Sequence, residues 1–383
     1  MYDIKIVTDV DAKEWNSNLI KTNYSTYFQT SEYLQPNITV GYFPVFVYVI
    51  DQNNNVVGQL GIRIIRTSVQ YSSPLLRKFL KLISGITTRG IWIYGPIIHS
   101  QDKKQRLEIL QAILDANNKI IDRYGLVCLE GFSPPLDELV DESYLKIFSD
   151  NDYKITKFVT HITDLTRSVD EIWSKVQKYT KTNVKRAAKR GITTKELETF
   201  EEMKQVVSLH QKWAETKGLR IIDNQQEVEE LWKKHTSGIE KFFLAFNGDE
   251  LISSISLSHF NNIVIPTQVL NAYSKSTSLG GPALTWRAIT WAKELNMKIY
   301  DITGGPLLSD DESDPDNTLP LTHYKRKWGG EQKIHYNFLR PGGKIKYSLY
   351  QKMFRILRIY HNMIGRTRPS KFIKNNETDI SKE

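Results

Sequence analysis

The sequence predicts an α/β protein made of two similar units in tandem, followed by a basic C-terminal helix. Three observations predict it. Apolar runs of period two alternate along the chain with runs of period 3.6, the pattern of strands alternating with helices. The order strand, helix, hairpin, strand, helix, strand occurs in residues 1–155 and again, with extra helices, in residues 156–340. Beyond residue 340 the composition changes, and Arg340 to Lys374 holds ten Lys/Arg with no Asp or Glu. At roughly 150 residues per domain, 383 residues suit two domains and a tail, 341–383.

In the first unit Tyr2 to Thr8 is a strand with Tyr2, Ile4 and Ile6 on one face. Asp11 to Lys21 is a helix that Asp11 caps, with Trp15 and Leu19 on its apolar side. Gly41 to Ile50 and Val56 to Thr67 form a hairpin across the polar turn Asp51 to Asn55. Leu75 to Ile83 is short, basic and apolar, and matches neither period. Gly90 to Tyr94 is a strand ending at Gly95-Pro96. Gln101 to Tyr124 is a helix with Leu107, Leu110, Ile113 and Leu114 on one face, and Gly125 to Glu130 is a strand.

In the second unit Lys157 to Leu165 is a strand. Ser168 to Arg190 is one helix stopped by Gly191, and Phe200 to Lys217 and Gln226 to Lys241 are two more. Phe242 to Phe246 and Leu251 to Phe260 pair around Asn247-Gly248-Asp249, and Asn262 to Leu270 adds a strand. Gly281 to Leu295 is a helix; Lys298 to Thr303 and Lys333 to Leu339 are strands. Lys344 to Ile364 is an amphipathic basic helix.

The charge is local. The chain carries 52 basic and 43 acidic residues, a net of +9, yet residues 1–339 alone come to +1. Cys128 is the single cysteine, which excludes an internal disulfide and a cysteine-rich metal site, and it lies in the strand Leu126 to Leu129. The longest apolar run, Tyr42 to Ile50, falls short of the ~20 residues of a membrane span. The N-terminus has no apolar signal core. These features predict a cytoplasmic protein. No phosphate-binding P-loop, dinucleotide fingerprint, HExxH or GxSxG element is present. The acidic segment Asp310 to Asp316 lacks the glycine and terminal glutamate of a calcium loop. No metal and no resident cofactor is expected.

Three segments carry candidate chemistry. Lys175 to Gly191 holds Lys178, Lys181, Lys185 and Lys189 at helical spacing with no acid, a face for phosphate or simply for solvent. Asn271 to Trp291 runs from a polar loop through Gly280, Gly281 and Pro282 into a helix start, where backbone amides bind anions; a plain loop-to-helix junction is the alternative. Tyr300-Asp-Ile-Thr-Gly-Gly305 is followed by His323-Tyr-Lys-Arg-Lys-Trp-Gly329. There Lys325, set between Tyr324 and Trp328, is either an oxyanion stabiliser or a surface lysine beside two packing aromatics.

Taken in order, Tyr27-Phe-Gln-Thr-Ser-Glu-Tyr33, Tyr94-Gly-Pro96, Lys181 to Gly191, Pro282-Ala-Leu-Thr-Trp286, Tyr300-Asp301 and Tyr324-Lys-Arg-Lys-Trp-Gly329 resemble the FemAB family of peptidyl aminoacyltransferases, in its compact FemX branch. The resemblance covers residues 1–340. It implies two tandem GNAT-like acyltransferase domains, each a mixed sheet flanked by helices. It implies transfer of an aminoacyl group from aminoacyl-tRNA to an amine of a lipid-linked or nucleotide-linked muropeptide, by a monomer. It places the catalytic lysine at Lys325, beside Asp301, and a phosphate contact at Lys181, with Lys185 next to it. It makes Tyr273, Tyr300, Tyr324 and Trp328 substrate-facing, with Tyr273 and Tyr300 core aromatics on the alternative reading, and Gly280, Gly281 and Pro282 the site of an acyl-CoA pyrophosphate should that be the donor.

The sequence departs from the family's pattern in two places. The long coiled-coil arm of some members is missing, because Gly218 leads quickly into Phe242. Leu34 to Gly41 holds no lysine for the precursor's diphosphate. Two alternatives therefore stand: an acyl-CoA-dependent N-acyltransferase, and a non-enzymatic protein binding RNA or an anionic membrane. The tail bears on the latter. Leu349, Met353, Leu357, Tyr360 and Ile364 share a helical stripe flanked by Lys352, Arg355 and Arg358, which suits peripheral docking on anionic lipid or packing on the second unit.

Overall fold

The computed structural model describes residues 2–35, 41–66, 78–79, 81–216, 224–272, 279–307 and 319–367. In the first unit β1 (Asp3–Val7), β2 (Tyr42–Ile50), β3 (Val56–Arg66) and β4 (Thr88–Trp92) pair antiparallel in turn. The short β5 (Ile97–Ile98) pairs with β3, and β6 (Cys128–Phe132) runs parallel to β4. Helix α1 (Ala12–Leu19) starts at Asp11, whose carboxylate accepts from the Glu14 N–H at 2.7 Å. A single turn, α2 (Ser31–Leu34), is too short to show a period. Helix α3 (Lys103–Tyr124) is capped by Asp102 and stopped by Gly125 at φ 56°, a conformation that suits glycine. Helix α4 (Glu142–Asp150) closes the unit. Ile109, Leu110 and Ile113 of α3 pack on Val47, Leu60 and Ile62, each buried side chain stabilising by about 1.5–3 kcal/mol.

The second unit opens with β7 (Lys154–Asp164). The single helix expected over residues 168–190 is two, α5 (Val169–Lys175) and α6 (Lys178–Lys189). Between them Val176 and Gln177 are extended, with ψ of 135° and 146°. Val176 is buried in the second core, and the Gln177 N–H donates to the Lys327 carbonyl at 3.0 Å. Tertiary burial and one long-range bond thus override local helix propensity. Next come β8 (Ile192–Glu196), α7 (Phe200–Thr216), α8 (Asn224–Thr236), β9 (Lys241–Asn247), β10 (Glu250–Phe260) and β11 (Ile263–Asn271). Then follow α9 (Gly280–Glu294), β12 (Ile299–Pro306), α10 (Leu319–Arg326), β13 (Glu331–Pro341) and α11 (Lys344–Thr367). Leu284, Ala288 and Ile289 of α9 pack on Ile255, Leu257 and Tyr300.

The strands of both units belong to one sheet, in the order β1-β2-β3-β4-β6-β13-β7-β12-β11-β10-β9-β8. The late strand β13 makes the join, pairing antiparallel with β6 on one side and β7 on the other. Among the described residues, helix α11 meets the first unit. It touches the turn Ser84–Ile86 there, and Lys346 Nζ donates to the Gly125 carbonyl at 2.6 Å.

Candidate functional site

The site grows from two places where parallel strands part. β11 and β12 pair only at Ile263–Ile299 and Val264–Tyr300, although both strands continue well beyond. β4 and β6 pair from Gly90–Leu129 to Trp92–Gly131 and then end. A cavity of about 610 Å³ lies beyond these pairs. The first unit lines it with Tyr27, Phe28, Tyr33, Arg63, Tyr94 and Phe132, and the second with Glu240, Ser256, Gln268, Thr303, Gly304 and His335.

β12 is bulged where it meets the cavity. Its register against β7 slips between Asp301 and Gly304, and Thr303 sits at φ 63°, a region that β-branched residues avoid. Asp301 holds this strained turn. Its buried carboxylate accepts from the Thr303 N–H at 2.7 Å and from the Thr160 hydroxyl, and burial raises its pKa above the usual carboxylate range. Gly304 follows because a Cβ there would meet the Val159 carbonyl oxygen at 1.4 Å. The turn offers the Thr303 hydroxyl to Lys325, whose Nζ donates to it at 2.6 Å and approaches the Gly304 carbonyl at 3.5 Å. Lys325 is half-buried in the last turn of α10. Burial lowers its pKa to about 8, and the Asp301 charge opposes that fall. It is therefore a cation at neutral pH and a stronger acid than an ordinary lysine.

The other expected site residues divide. Asp301 lies beneath the cavity wall and acts through Thr303, so it is a positioning residue. Tyr300 is wholly buried in the second core and Trp328 nearly so, which makes them packing aromatics with no substrate face. Tyr324 shares a 3.1 Å hydrogen bond with the Thr285 hydroxyl and meets the Trp328 ring edge-on at 6.1 Å, so these aromatics pin α10 to α9. Gly329, at φ 78°, lets the chain pass Lys175, whose carbonyl oxygen a Cβ would meet at 2.3 Å. Lys181 donates to the Ser174 carbonyl at 2.8 Å, tying α6 back across the helix break. Lys185 is exposed on α6, and neither of these lysines lines the cavity. Gly280, Gly281 and Pro282 start α9 and are buried. A Cβ on Gly280 would meet Ser253 Cβ at 2.8 Å, and one on Gly281 would meet Asn271 Oδ1 at 3.0 Å, so packing on β10 and β11 explains both glycines. Tyr273 and the acidic segment Asp310 to Asp316 lie outside the described residues.

Several cavity residues escaped the reading of the sequence. The Arg63 guanidinium lies 3.3 Å from the Tyr33 ring centroid and 4.4 Å from that of Tyr42, and donates to the Tyr33 carbonyl. His335 is buried edge-on to Tyr94 at 5.5 Å; burial lowers its pKa to about 4, so it is neutral. Among the described residues its Nδ1 has no partner. Tyr27 donates to Glu240 at 3.4 Å. The available signal was a charged or imidazole side chain placed in an apolar strand pattern, at Arg63 in β3 and His335 in β13.

Compared by sequence, the chain matches no protein-family model and no curated protein. Compared by fold, it is similar to the crystal structure of FemX. The TM-score is 0.62 at 14% identity, over 92% of this chain and 99% of that one. It has the FemX-like, tandem GNAT type of fold. A tandem GNAT protein from the clavulanic acid biosynthesis pathway superposes with TM-score 0.52 at 11% identity, over 89% of this chain and 99% of that one.

Proposed function

We propose that the protein is an acyltransferase of the FemX type, moving an aminoacyl group from aminoacyl-tRNA to an amine of a peptidoglycan precursor or similar cell-envelope precursor. One observation carries the reading. Lys325 is a partly desolvated cation that donates at 2.6 Å to Thr303, and Thr303 lines a cavity that both units share. In the reaction the acceptor nitrogen attacks the ester carbonyl of the donor. A C–N bond forms and negative charge collects on the carbonyl oxygen. Collapse then breaks the C–O bond to the terminal ribose. An ammonium at this position balances the oxyanion. With a pKa of about 8 it also gives a proton to the departing oxygen, and the new amide's nitrogen returns one.

The aromatic lining, with Arg63 and Lys234 as cations and Glu240 as an acid, suits an acceptor that carries both an anionic group and an amine. The exposed Lys178 and Lys185 on α6 suit the donor's phosphates. The test incubates pure protein with charged tRNA and either lipid-linked or nucleotide-linked muropeptide, and follows aminoacyl transfer by mass spectrometry. Absence of transfer with every charged tRNA defeats the proposal. An acyl-CoA donor is the second reading. It is favoured by Leu279 at the N-cap of α9, which has no side-chain oxygen to cap a helix start where an anion can bind. Calorimetric binding of acetyl-CoA together with failure of the tRNA assay selects it.

A further inference from the structure

We infer that the protein docks on anionic phospholipid bilayers through a two-part surface, the outer face of α11 and a short segment of the first unit formed by Lys78, Phe79, Lys81 and Leu82. The parts are far apart in sequence and share one compositional property. Residues 52–101 and 340–376 contain no Asp or Glu. The fold brings them together, because α11 touches the turn Ser84–Ile86 that follows the segment. A helical turn leads into it, with the Ile83 N–H donating to the Phe79 carbonyl at 3.2 Å and the Ile86 N–H to the Ile83 carbonyl at 2.9 Å.

Helix α11 has an inner and an outer side. On the inner side Lys346 donates to the Gly125 carbonyl at 2.6 Å, and burial, helped by the Cys128 and Glu130 side chains, raises the pKa of Tyr347. On the outer side Ile345, Leu349 and Ile356 are 80%, 50% and 66% exposed. Spacings of four and seven residues put them on one stripe. Lys344, Lys352 and Arg355 are exposed around it. The neighbouring segment repeats the pattern, with Phe79 52% and Leu82 85% exposed between exposed Lys78 and Lys81.

Charge complementarity selects the occupant. A nucleic acid satisfies the five cations and leaves Ile345, Leu349, Ile356, Phe79 and Leu82 in water. A second copy docked face to face covers the apolar groups and sets cation against cation. The interface of an anionic bilayer satisfies both, taking apolar side chains below the headgroups and basic ones among them. Among the described residues no helix is long and apolar enough to cross a membrane, so the contact lies in the membrane plane.

The test uses the full chain in vesicle flotation, with phosphatidylcholine alone and with phosphatidylcholine mixed with phosphatidylglycerol. Binding is expected to the mixed vesicles, and to weaken as salt rises. Each cation near the surface contributes about a fivefold factor, so K344Q/K352Q/R355Q should bind about a hundredfold more weakly. L349D/I356D should abolish binding, and F79S/L82S should weaken it at least tenfold. These side chains are exposed, and circular dichroism checks that each variant stays folded. Equal binding to neutral vesicles, or binding to neither, overturns the inference. So does wild-type binding by F79S/L82S, which reduces the surface to α11 alone. Sedimentation showing a dimer that L349D/I356D dissociates assigns the face to a second copy and also overturns it.

Discussion

Replacing Lys325 by methionine removes the ammonium and keeps the length of the side chain. Its Nζ is 2.6 Å from the Thr303 hydroxyl at the cavity wall, so the group is already in place before substrate arrives. Losing one preorganised oxyanion stabiliser costs about 10²–10³ in turnover, or about 3–4 kcal/mol. Stability should move the other way. Burial lowers the pKa of Lys325 from 10.5 to about 8. At about 1.4 kcal/mol per unit, holding the charge costs the fold on the order of 3 kcal/mol at neutral pH, and less because water still reaches a half-buried side chain. Lys325→Met should therefore lose about a hundredfold in single-turnover transfer while its melting temperature holds or rises. The pH profile adds a second readout. Lys325 is charged below about pH 8 and neutral above, so wild-type turnover should fall as pH rises through about 8, and the variant should lack that limb. For stability, the unfolded lysine titrates near 10.5 and the folded one near 8, so between those values the unfolded chain binds more protons and the wild type gains stability with rising pH. Near-wild-type turnover, or activity and stability falling together, would refute the reasoning and make the lysine structural.

Four further outcomes follow from the same geometry. Thr303→Val keeps the branched shape but removes the acceptor of the Lys325 bond; hydrogen bonds to charged groups contribute about 1.5–3 kcal/mol, so turnover should drop tenfold or more with unchanged circular dichroism. Asp301→Asn removes the charge that opposes the fall in Lys325's pKa, which should move the alkaline limb of the rate profile to lower pH; an unmoved limb counts against that coupling. Gly304→Ala drives a Cβ to 1.4 Å from the Val159 carbonyl oxygen, and calorimetry should record a loss of about 3 kcal/mol or more. Arg63→Lys keeps the charge but loses the planar stacking on Tyr33 and Tyr42, so the acceptor's KM should rise about tenfold with kcat retained.

Much of the site was legible as residue types and little of it as roles. Lys325 stood out as a basic residue between two aromatics, and its ammonium bonds Thr303, a residue that lines the cavity. Tyr300 and Trp328 stood out on the same grounds and prove to be core, because an aromatic in a strand or helix packs inward as readily as it meets a ligand. Asp301 lay inside the expected strand Lys298 to Thr303, and the resemblance set it beside Lys325. Its actual work, holding Thr303 at φ 63°, depends on a bulge that only pairing with β7 creates. Arg63 and His335 gave no motif at all, since each needs neighbours from distant strands before it lines anything.

Local patterns, acting within a turn or a hairpin, were enough to determine most elements. Asp11 and Asp102 start their helices, Gly125 ends one, and apolar runs on either side of a polar turn build the β2–β3 hairpin. The concentration of charge in the tail was equally plain from composition. Tertiary structure alone decided the join between the units, where β13 enters between β6 and β7 more than 150 residues from either in the chain. It also decided the break before α6, set by the Lys327 carbonyl, and the docking of α11 on the first unit. These rest on hydrogen bonds and burial between segments remote in sequence, and such contacts leave no period in the chain to be read.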